Sequence, residues 1–553
     1  MDRLKPKLFS VMKTYSKEQF VRDVVAGIIV AIIALPLSIA LALASGVNPE
    51  RGLYTAIIAG FAISFLGGSR VQISGPTAAF ATIVAGIVAE NGIDGLIVAT
   101  ILAGVLLIVM GVLKFGSLIK FIPYTITTGF TAGIAVTIFI GQLKYFFGIT
   151  FINNPLETLE KLMEVIKCFP KFNISATIIG VVSIVILVVW PKINKVVPGS
   201  LIAIIVTVLM VKGFKMNVNT IGSLYEISNK LPVFDIPNIN IGIIRKLLPD
   251  ALTIAVLAGV ESLLSCVVSD SMVGSRHRSN MELVAQGVGN IFSGLFGGIP
   301  ATGAIARTAA NVKNGGRTPI SGMVHSVTLL LILVALMPYA AWIPMPSIAA
   351  ILFVVAYNMS EWREFIDLIK TSPKSDILVL ITTFVLTVVF DLVVAIEFGI
   401  VLASLLFIKR MSETTGIKSW KYVESMELED SENDPDGIEL RRVPPNTLVY
   451  EINGPLFFAV ADKFLHISTD SHINCIILRM RSVPAMDVTA LKSLKKLHAN
   501  CNKNHIQLIL SHIQEQPYLV MKKAGFTEEI GINNFCNHID DALLRAELLN
   551  KKQ

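Results

Sequence analysis

Apolar residues run along this chain in blocks long enough to cross a bilayer, whose hydrocarbon core takes about 20 residues of helix. Such blocks are read at 24–44, 53–67, 78–89, 93–113, 119–147, 174–190 and 198–213, and again at 249–268, 283–297, 303–312, 319–339, 344–359, 374–391 and 393–409. A polar stretch at 214–248 separates the two sets of seven. Some blocks are too short to cross alone, and a helix that breaks at membrane depth must do so inside protein. Beyond residue 447 the period changes. Short apolar strands at 447–452, 456–458, 475–479 and 506–511 alternate with helical stretches at 460–467, 488–500, 516–524 and 539–549. That pattern predicts a small α/β domain with a covered sheet. The organisation read from the pattern is a leading segment at 1–23, a first seven-span repeat at 24–213 and a connecting loop at 214–248. A second repeat at 249–410, a linker at 411–442 that is acidic at 424–439, and the α/β domain at 443–553 complete it.

The two sets of spans look like copies of one unit. Phe65, Leu66, Gly67 and Gly68 find counterparts in Leu295, Phe296, Gly297 and Gly298, and a small-residue stretch follows each. The first stretch is Ser74-Gly75-Pro76-Thr77-Ala78 and the second Pro300-Ala301-Thr302-Gly303-Ala304, which sets Thr77 against Thr302. Seven is odd, so the second copy enters the membrane from the opposite side. Inverted repeats of this kind point to a transporter whose site lies near the bilayer midplane.

Composition sharpens the division. Of 47 Lys and Arg in the chain, 31 fall within 1–410, against 21 of the 40 Asp and Glu, so this apolar part is net +10 and the remainder net −3. Its cations sit in short connections: Arg3, Lys5, Lys7, Lys13, Lys17 and Arg22 before the first span, then Arg70, Lys114, Lys192, Arg276, Lys313 and Arg363 after even-numbered ones. By the positive-inside bias both termini and the α/β domain are cytosolic, in a plasma membrane of the bacterial inner-membrane type. The excess charge therefore reports topology and predicts no nucleic-acid partner. The five cysteines, Cys168, Cys266, Cys475, Cys501 and Cys536, show neither a metal-ligand spacing nor a disulfide framework. No phosphate-binding loop motif or nucleophilic triad is present, so hydrolysis and primary pumping lack support, and no cofactor or metal is predicted.

The candidate chemistry lies at the two small-residue stretches. A short apolar segment after each reads as a half-helix whose first amides are left free inside the membrane. Two inverted copies point these amino-terminal ends at each other, each with roughly half a positive charge, and so form an anion site without an ionised side chain. Glycine permits close backbone approach, Pro76 presets a first turn, and the hydroxyls of Ser74, Thr77 and Thr302 add donors. Breaks made only for helix packing are the alternative. Arg307, one turn into the second half-helix, must face protein, water or an anion at that depth, or pair with Glu261. Glu261 is a candidate proton carrier in an otherwise apolar span, and Ser265, four residues on, shares its helical face. A structural ion pair is the alternative for Glu261.

These residues resemble a known family. Ser74-Gly75-Pro76-Thr77-Ala78-Ala79, the stretch 297–304, Arg307-Thr308-Ala309-Ala310-Asn311, Gly315-Gly316-Arg317-Thr318 and Asn358-Met359-Ser360-Glu361-Trp362 together look like the SulP anion transporters, the sulfate permeases, and the tail looks like their STAS domain. The resemblance spans nearly the whole chain. It implies fourteen spans, with a core domain (spans one to four and eight to eleven) moving elevator-like against a gate domain (five to seven and twelve to fourteen), usually in a homodimer. It places a sulfate, bicarbonate or dicarboxylate anion near Thr77, Ala78, Thr302, Gly303, Ala304 and Arg307, and puts Glu261 where relatives carry an acid linked to proton or sodium coupling. Glu261 with Ser265 favours protons, with sodium-coupled bicarbonate uptake, exchange or an anion channel as alternatives. Leu37 and Leu41 stand in the first span where many relatives carry a glutamine and an aromatic ring, and Ala304 and Ala306 where hydroxyls are frequent, so this site is less polar. In the tail, Val488 occupies the usual phosphoacceptor position, leaving Thr489 as the regulatory candidate and a cytosolic protein as a candidate partner.

Overall fold

The computed structural model describes residues 4–117, 123–153, 155, 157–194, 197–237, 240–390, 392–414, 416–420, 441–457 and 473–551, in two compact units, Met1–Val401 and Leu402–Gln553. The first unit is helical. Its principal helices are α1 (Lys17–Ala44), α2 (Pro49–Leu66), α3 (Ala81–Val112), α4 (Tyr124–Phe146), α5 (Thr158–Cys168), α6 (Ile174–Ile193), α7 (Gly199–Gly213), α8 (Ile241–Val273) and α9 (Ser279–Leu295). They continue as α10 (Ile305–Lys313), α11 (Pro319–Leu336), α12 (Met345–Met359), α13 (Trp362–Thr371), α14 (Lys374–Val389) and α15 (Leu392–Thr414). Two two-residue strands, β1 (Ser74–Gly75) and β2 (Thr302–Gly303), interrupt the series. Among the described residues, six helical stretches of 18 residues or more are apolar enough to cross a membrane: Lys17–Ala44, Ala78–Val112, Tyr124–Phe146, Ile174–Ile193, Ile241–Val273 and Pro319–Trp342.

Local chemistry sets the boundaries. Ser16, Asn173, Asn240 and Thr318 accept backbone N–H bonds from the first turns of α1, α6, α8 and α11, so each apolar run starts at a polar cap. The blocks expected at 78–89 and 93–113 form one continuous rod broken at Gly92, whose φ of 67° and ψ of −172° only glycine adopts without strain. The block expected at 119–147 begins in residues outside those described and is helical from Tyr124. The loop expected at 214–248 carries a one-turn helix at Ile221–Leu224 and gives way to α8 at Ile241.

Packing sorts the helices into two groups. α3 packs most closely on α9 and α8, α11 on α1 and α2, and α9 on α2. α4 packs on α14 and α12, and α6 on α12 and α7. These are the sets the family resemblance assigns to core and gate. Asp23, fully buried in α1, ties the first group together at its base. Its carboxylate accepts from Arg317 N at 2.8 Å and Thr318 Oγ1 at 2.6 Å at the start of α11, and from Tyr15 and Gln19 on its own side. The Gly-Gly-Arg-Thr motif therefore serves as the far half of a buried cap.

The second unit is a five-stranded sheet in the order β3 (Gly416–Trp420), β4 (Thr447–Asn453), β5 (Cys475–Ser482), β6 (Gln507–Ser511), β7 (Phe535–Cys536). β3 runs antiparallel to β4, and the remaining pairs are parallel. Alternation covers both faces. Leu448, Ile476, Leu478, Leu508 and Leu510 pack against Leu491, Leu494 and Leu497 of α16 (Val488–Lys503), while Val449, Ile477 and Ile509 pack against Ile539, Ala542 and Ala546 of the last helix, Ile539–Asn550. Two expectations change. The segment taken as linker from residue 411 contains the end of α15 and all of β3, so the sheet begins earlier than 443. Of the strand expected at 456–458, Leu456 forms a bridge to Met486, and residue 458 lies outside the described residues. The helix expected at 460–467 and the acidic stretch at 424–439 lie outside the described residues.

Candidate anion site

The two small-residue stretches meet. β1 and β2 pair antiparallel, Ser74 opposite Gly303 and Gly75 opposite Thr302, and Ala304 N donates to Ile73 O at 2.9 Å. The local two-fold of such a pair equates Ser74 with Thr302 and Gly75 with Gly303. Thr77 is thus no counterpart of Thr302, as the sequence alignment of the repeats has it. That two-fold sets Thr77 against Ile305; as the extended residue before its helix, Thr77 is matched by Ala304, one position out of the strand register. Backbone pairing satisfies polar groups that a broken helix exposes in a low-dielectric region, where an unmet one costs several kcal/mol.

Neither helix start has a side-chain cap. Thr77 is of a residue type that ordinarily caps, but its Oγ1 donates to Glu261 Oε2 at 3.0 Å. The Ala304 side chain has nothing to donate. The first turn after Thr77 is a 3₁₀ turn, Ala78–Phe80, that leads into α3, and Ala78 and Ala304 are both buried against the site.

Arg307 is 4% exposed. Its Nη2 donates to Pro76 O, which ties the second helix to the first break, while Nη1 is buried with no hydrogen-bond partner. A Cβ at Gly75 would stand 2.7 Å from Nη1, so a side chain there would displace the guanidinium from its place against β1. No ion pair within 4.0 Å joins Arg307 to Glu261 among the described residues, and the salt-bridge alternative for both is set aside. A buried cation with one open donor, beside two uncapped helix starts, is an arrangement that accepts an anion.

Other expected residues take different parts. Thr302 is fully buried and its Oγ1 donates to Ala258 O at 2.9 Å, so its hydroxyl is spent within the protein. Ser74 Oγ accepts from Gln286 Nε2 at 3.1 Å. Ser265, 1% exposed, donates to Thr308 Oγ1 at 3.3 Å, and that oxygen also accepts from Ile73 N; Ser265 braces α8 against α10 and makes no bond with Glu261. The serine of α8 that reaches the strands is Ser262, which accepts from Gly303 N at 3.0 Å and lies 2.8 Å from Thr302 Oγ1. In α1, Leu41 is buried and Leu37 partly exposed. Thr489 is exposed in the first turn of α16, where Asp487 caps Ala490 N at 2.8 Å.

A buried network that sequence reading missed stands behind the strands. Glu282 accepts from Gly68 N, Ser69 N, Gln72 Nε2 and Gln286 Nε2, all within 3.1 Å. Gln72 Oε1 accepts from Cys266 Sγ, and Asn290 clasps Ala301 by both its amide atoms, at 2.8 and 2.9 Å. The available signal was spacing, since Glu282, Gln286 and Asn290 recur every four residues on one face of α9.

Comparison with known proteins agrees over most of the chain. Residues 20–383 match the model of the sulfate permease family and residues 439–542 that of the STAS domain. "Putative sulfate transporter YvdB" of Bacillus subtilis is 42% identical over 96% of this chain and 98% of its own, and the bicarbonate transporter BicA of Picosynechococcus is 31% identical over 86% and 85%. Among solved structures, the transmembrane domain of a cyanobacterial BicA superposes with a TM-score of 0.62 at 29% identity, over 70% of this chain and 98% of that one. Murine Solute Carrier 26 family member A9 superposes at 0.88 with 20% identity, over 99% and 94%, a likeness of fold.

Proposed function

The chain belongs to the sulfate permease family, and from that premise we propose that it is a secondary active transporter of a small anion, driven by protons bound at Glu261. The observation that carries the reading is the buried, unpartnered Nη1 of Arg307 beside two helix starts without side-chain caps. The cargo class is sulfate, bicarbonate or a dicarboxylate. The site is assembled wholly from the first packing group, so a rigid displacement of that group against the other carries it across the membrane as an elevator. Fourteen spans, cytosolic termini and a homodimer complete the reading.

Coupling follows from the Thr77 hydroxyl. While Glu261 is ionised it only accepts, and Thr77 must donate to it. A protonated Glu261 donates instead to the Thr77 oxygen. The threonine O–H, still intact, is then free to donate a hydrogen bond to the anion, so proton and anion favour each other's binding. No covalent step occurs, and the protein acts as a carrier and not as an enzyme.

Sodium-coupled bicarbonate uptake is the second reading, and its cargo, though not its coupling ion, is favoured by the 31% identity to a protein named as a bicarbonate transporter. Proteoliposome uptake of labelled sulfate, bicarbonate and fumarate separates the two, each measured with an inward proton gradient, with an inward sodium gradient, and with neither. Accumulation under the proton gradient alone is expected. Accumulation under sodium alone overturns proton coupling, currents far above carrier turnover make the protein a channel, and movement of no anion overturns transport itself.

A further inference from the structure

α5, Thr158–Cys168, has an apolar face but is too short to span, and the site just described does not use it. It borders a cavity of about 410 Å³ that also contains Ala81 and Thr82 of the first turns of α3, Gly141 and Gln142 of α4 and Thr387 of α14. That volume is many times the roughly 30 Å³ share of one water, enough for a small anion with part of its hydration shell. One cation lines it, Lys161, on the inward face of α5. Among the described residues Lys161 has no ion pair, and burial pushes its ammonium below the ordinary value.

Three carboxylates share the cavity. Glu90 and Glu157 are exposed at its rim, where water screens them, and Asp250 already holds an interaction within the protein. At an effective dielectric of about 20 a partly buried charge acts roughly fourfold more strongly than one in water at about 80. Asp250 is partly buried as the lysine is, so Lys161 gives the interior its one positive charge to pair with an anion and not a net positive field.

We propose that Lys161 is a capture residue, and that the cavity under α5 is an outer station where the anion waits before it reaches Arg307 and the helix starts. The assignment rests on the transport reading and adds a specificity-determining residue outside the central site. A half-buried cation at an entrance acts chiefly on encounter and salt dependence.

Anion uptake into proteoliposomes tests it, with wild type, K161Q, K161R and K161C compared. K161Q is expected to raise KM roughly threefold to tenfold at unchanged maximal rate, and K161R to restore it. The wild-type KM is expected to climb with ionic strength more steeply than that of K161Q. On K161C, a cationic methanethiosulfonate reagent should lower KM and an anionic one raise it; Cys168 and Cys266, the native thiols of this unit, are buried. Equal KM and equal salt slopes in wild type and K161Q overturn the proposal, as does indifference of K161C to the sign of the reagent. A wild-type protein that moves no anion overturns the transport reading instead.

Discussion

The two helix starts that meet at the strand pair occupy equivalent places and carry unlike chemistry. The first ends its extended segment in Thr77, whose hydroxyl goes to Glu261, and has no charge of its own. The second ends in Ala304 and brings Arg307 one turn later, buried and with an open donor. An inverted repeat fixes where the two backbones point; side chains then divide the work. One copy supplies a hydroxyl bonded to the Glu261 carboxyl, and the other supplies a buried positive charge.

Removing the fixed charge should do most damage. Arg307→Met is expected to weaken anion binding about 10- to 100-fold, the range for a lost hydrogen bond to a charged group of about 1.5–3 kcal/mol, measured as equilibrium binding to purified protein. Loss of less than twofold would make the guanidinium a strut and return the site to the helix ends alone. Gly75→Ala pushes on the same group from the other copy. With Nη1 2.7 Å from the new methyl, about tenfold weaker binding is expected on the same assay, and unchanged binding would mean that the guanidinium moves away without cost.

Glu261→Gln tests the proposed proton coupling in the other half. A glutamine still accepts from Thr77 but takes up no proton, so anion binding should persist while uptake driven by a one-unit pH gradient falls from up to about tenfold accumulation to equilibration. Unchanged accumulation would remove Glu261 from coupling. The smallest effect is expected from making the starts alike. Ala304→Ser adds a side chain that caps the second helix, worth about 1 kcal/mol, so the melting temperature should rise while the anion, competing for the same amides, binds about fivefold more weakly. Tighter binding would instead make residue 304 an anion donor.

Much of this arrangement is legible in the sequence, for reasons that also explain what is not. Long apolar runs and Gly or Pro interruptions are local signals, so α1, α6 and α7 end within a few residues of expectation, and both breaks are found. α5 and α13 escape because their apolar residues lie on one face and never form a run. β3 escapes because Gly416–Trp420 becomes a strand only by pairing with β4, some 30 residues on. Within the site, residue types are legible and partners are not. Thr302 reads as a donor to an anion until Ala258 O is seen to take its proton, and Ser265 reads as the companion of Glu261 until Ser262 is seen to lie at the strands. Glu282 looks like one helix charge among others, and only the fold brings Gly68, Ser69, Gln72 and Gln286 around it.

The strand pair also carries a consequence for synthesis. Ser74 leaves the ribosome long before Gly303, its partner, and chains grow at about 5–20 residues per second. For roughly 10–50 s the first break therefore waits in the membrane with its backbone unpaired. The first half needs a temporary host for those groups, either water admitted to the growing bundle or the insertion machinery. Slowing translation between the repeats should lengthen that exposure and lower the yield of folded protein without any change in sequence.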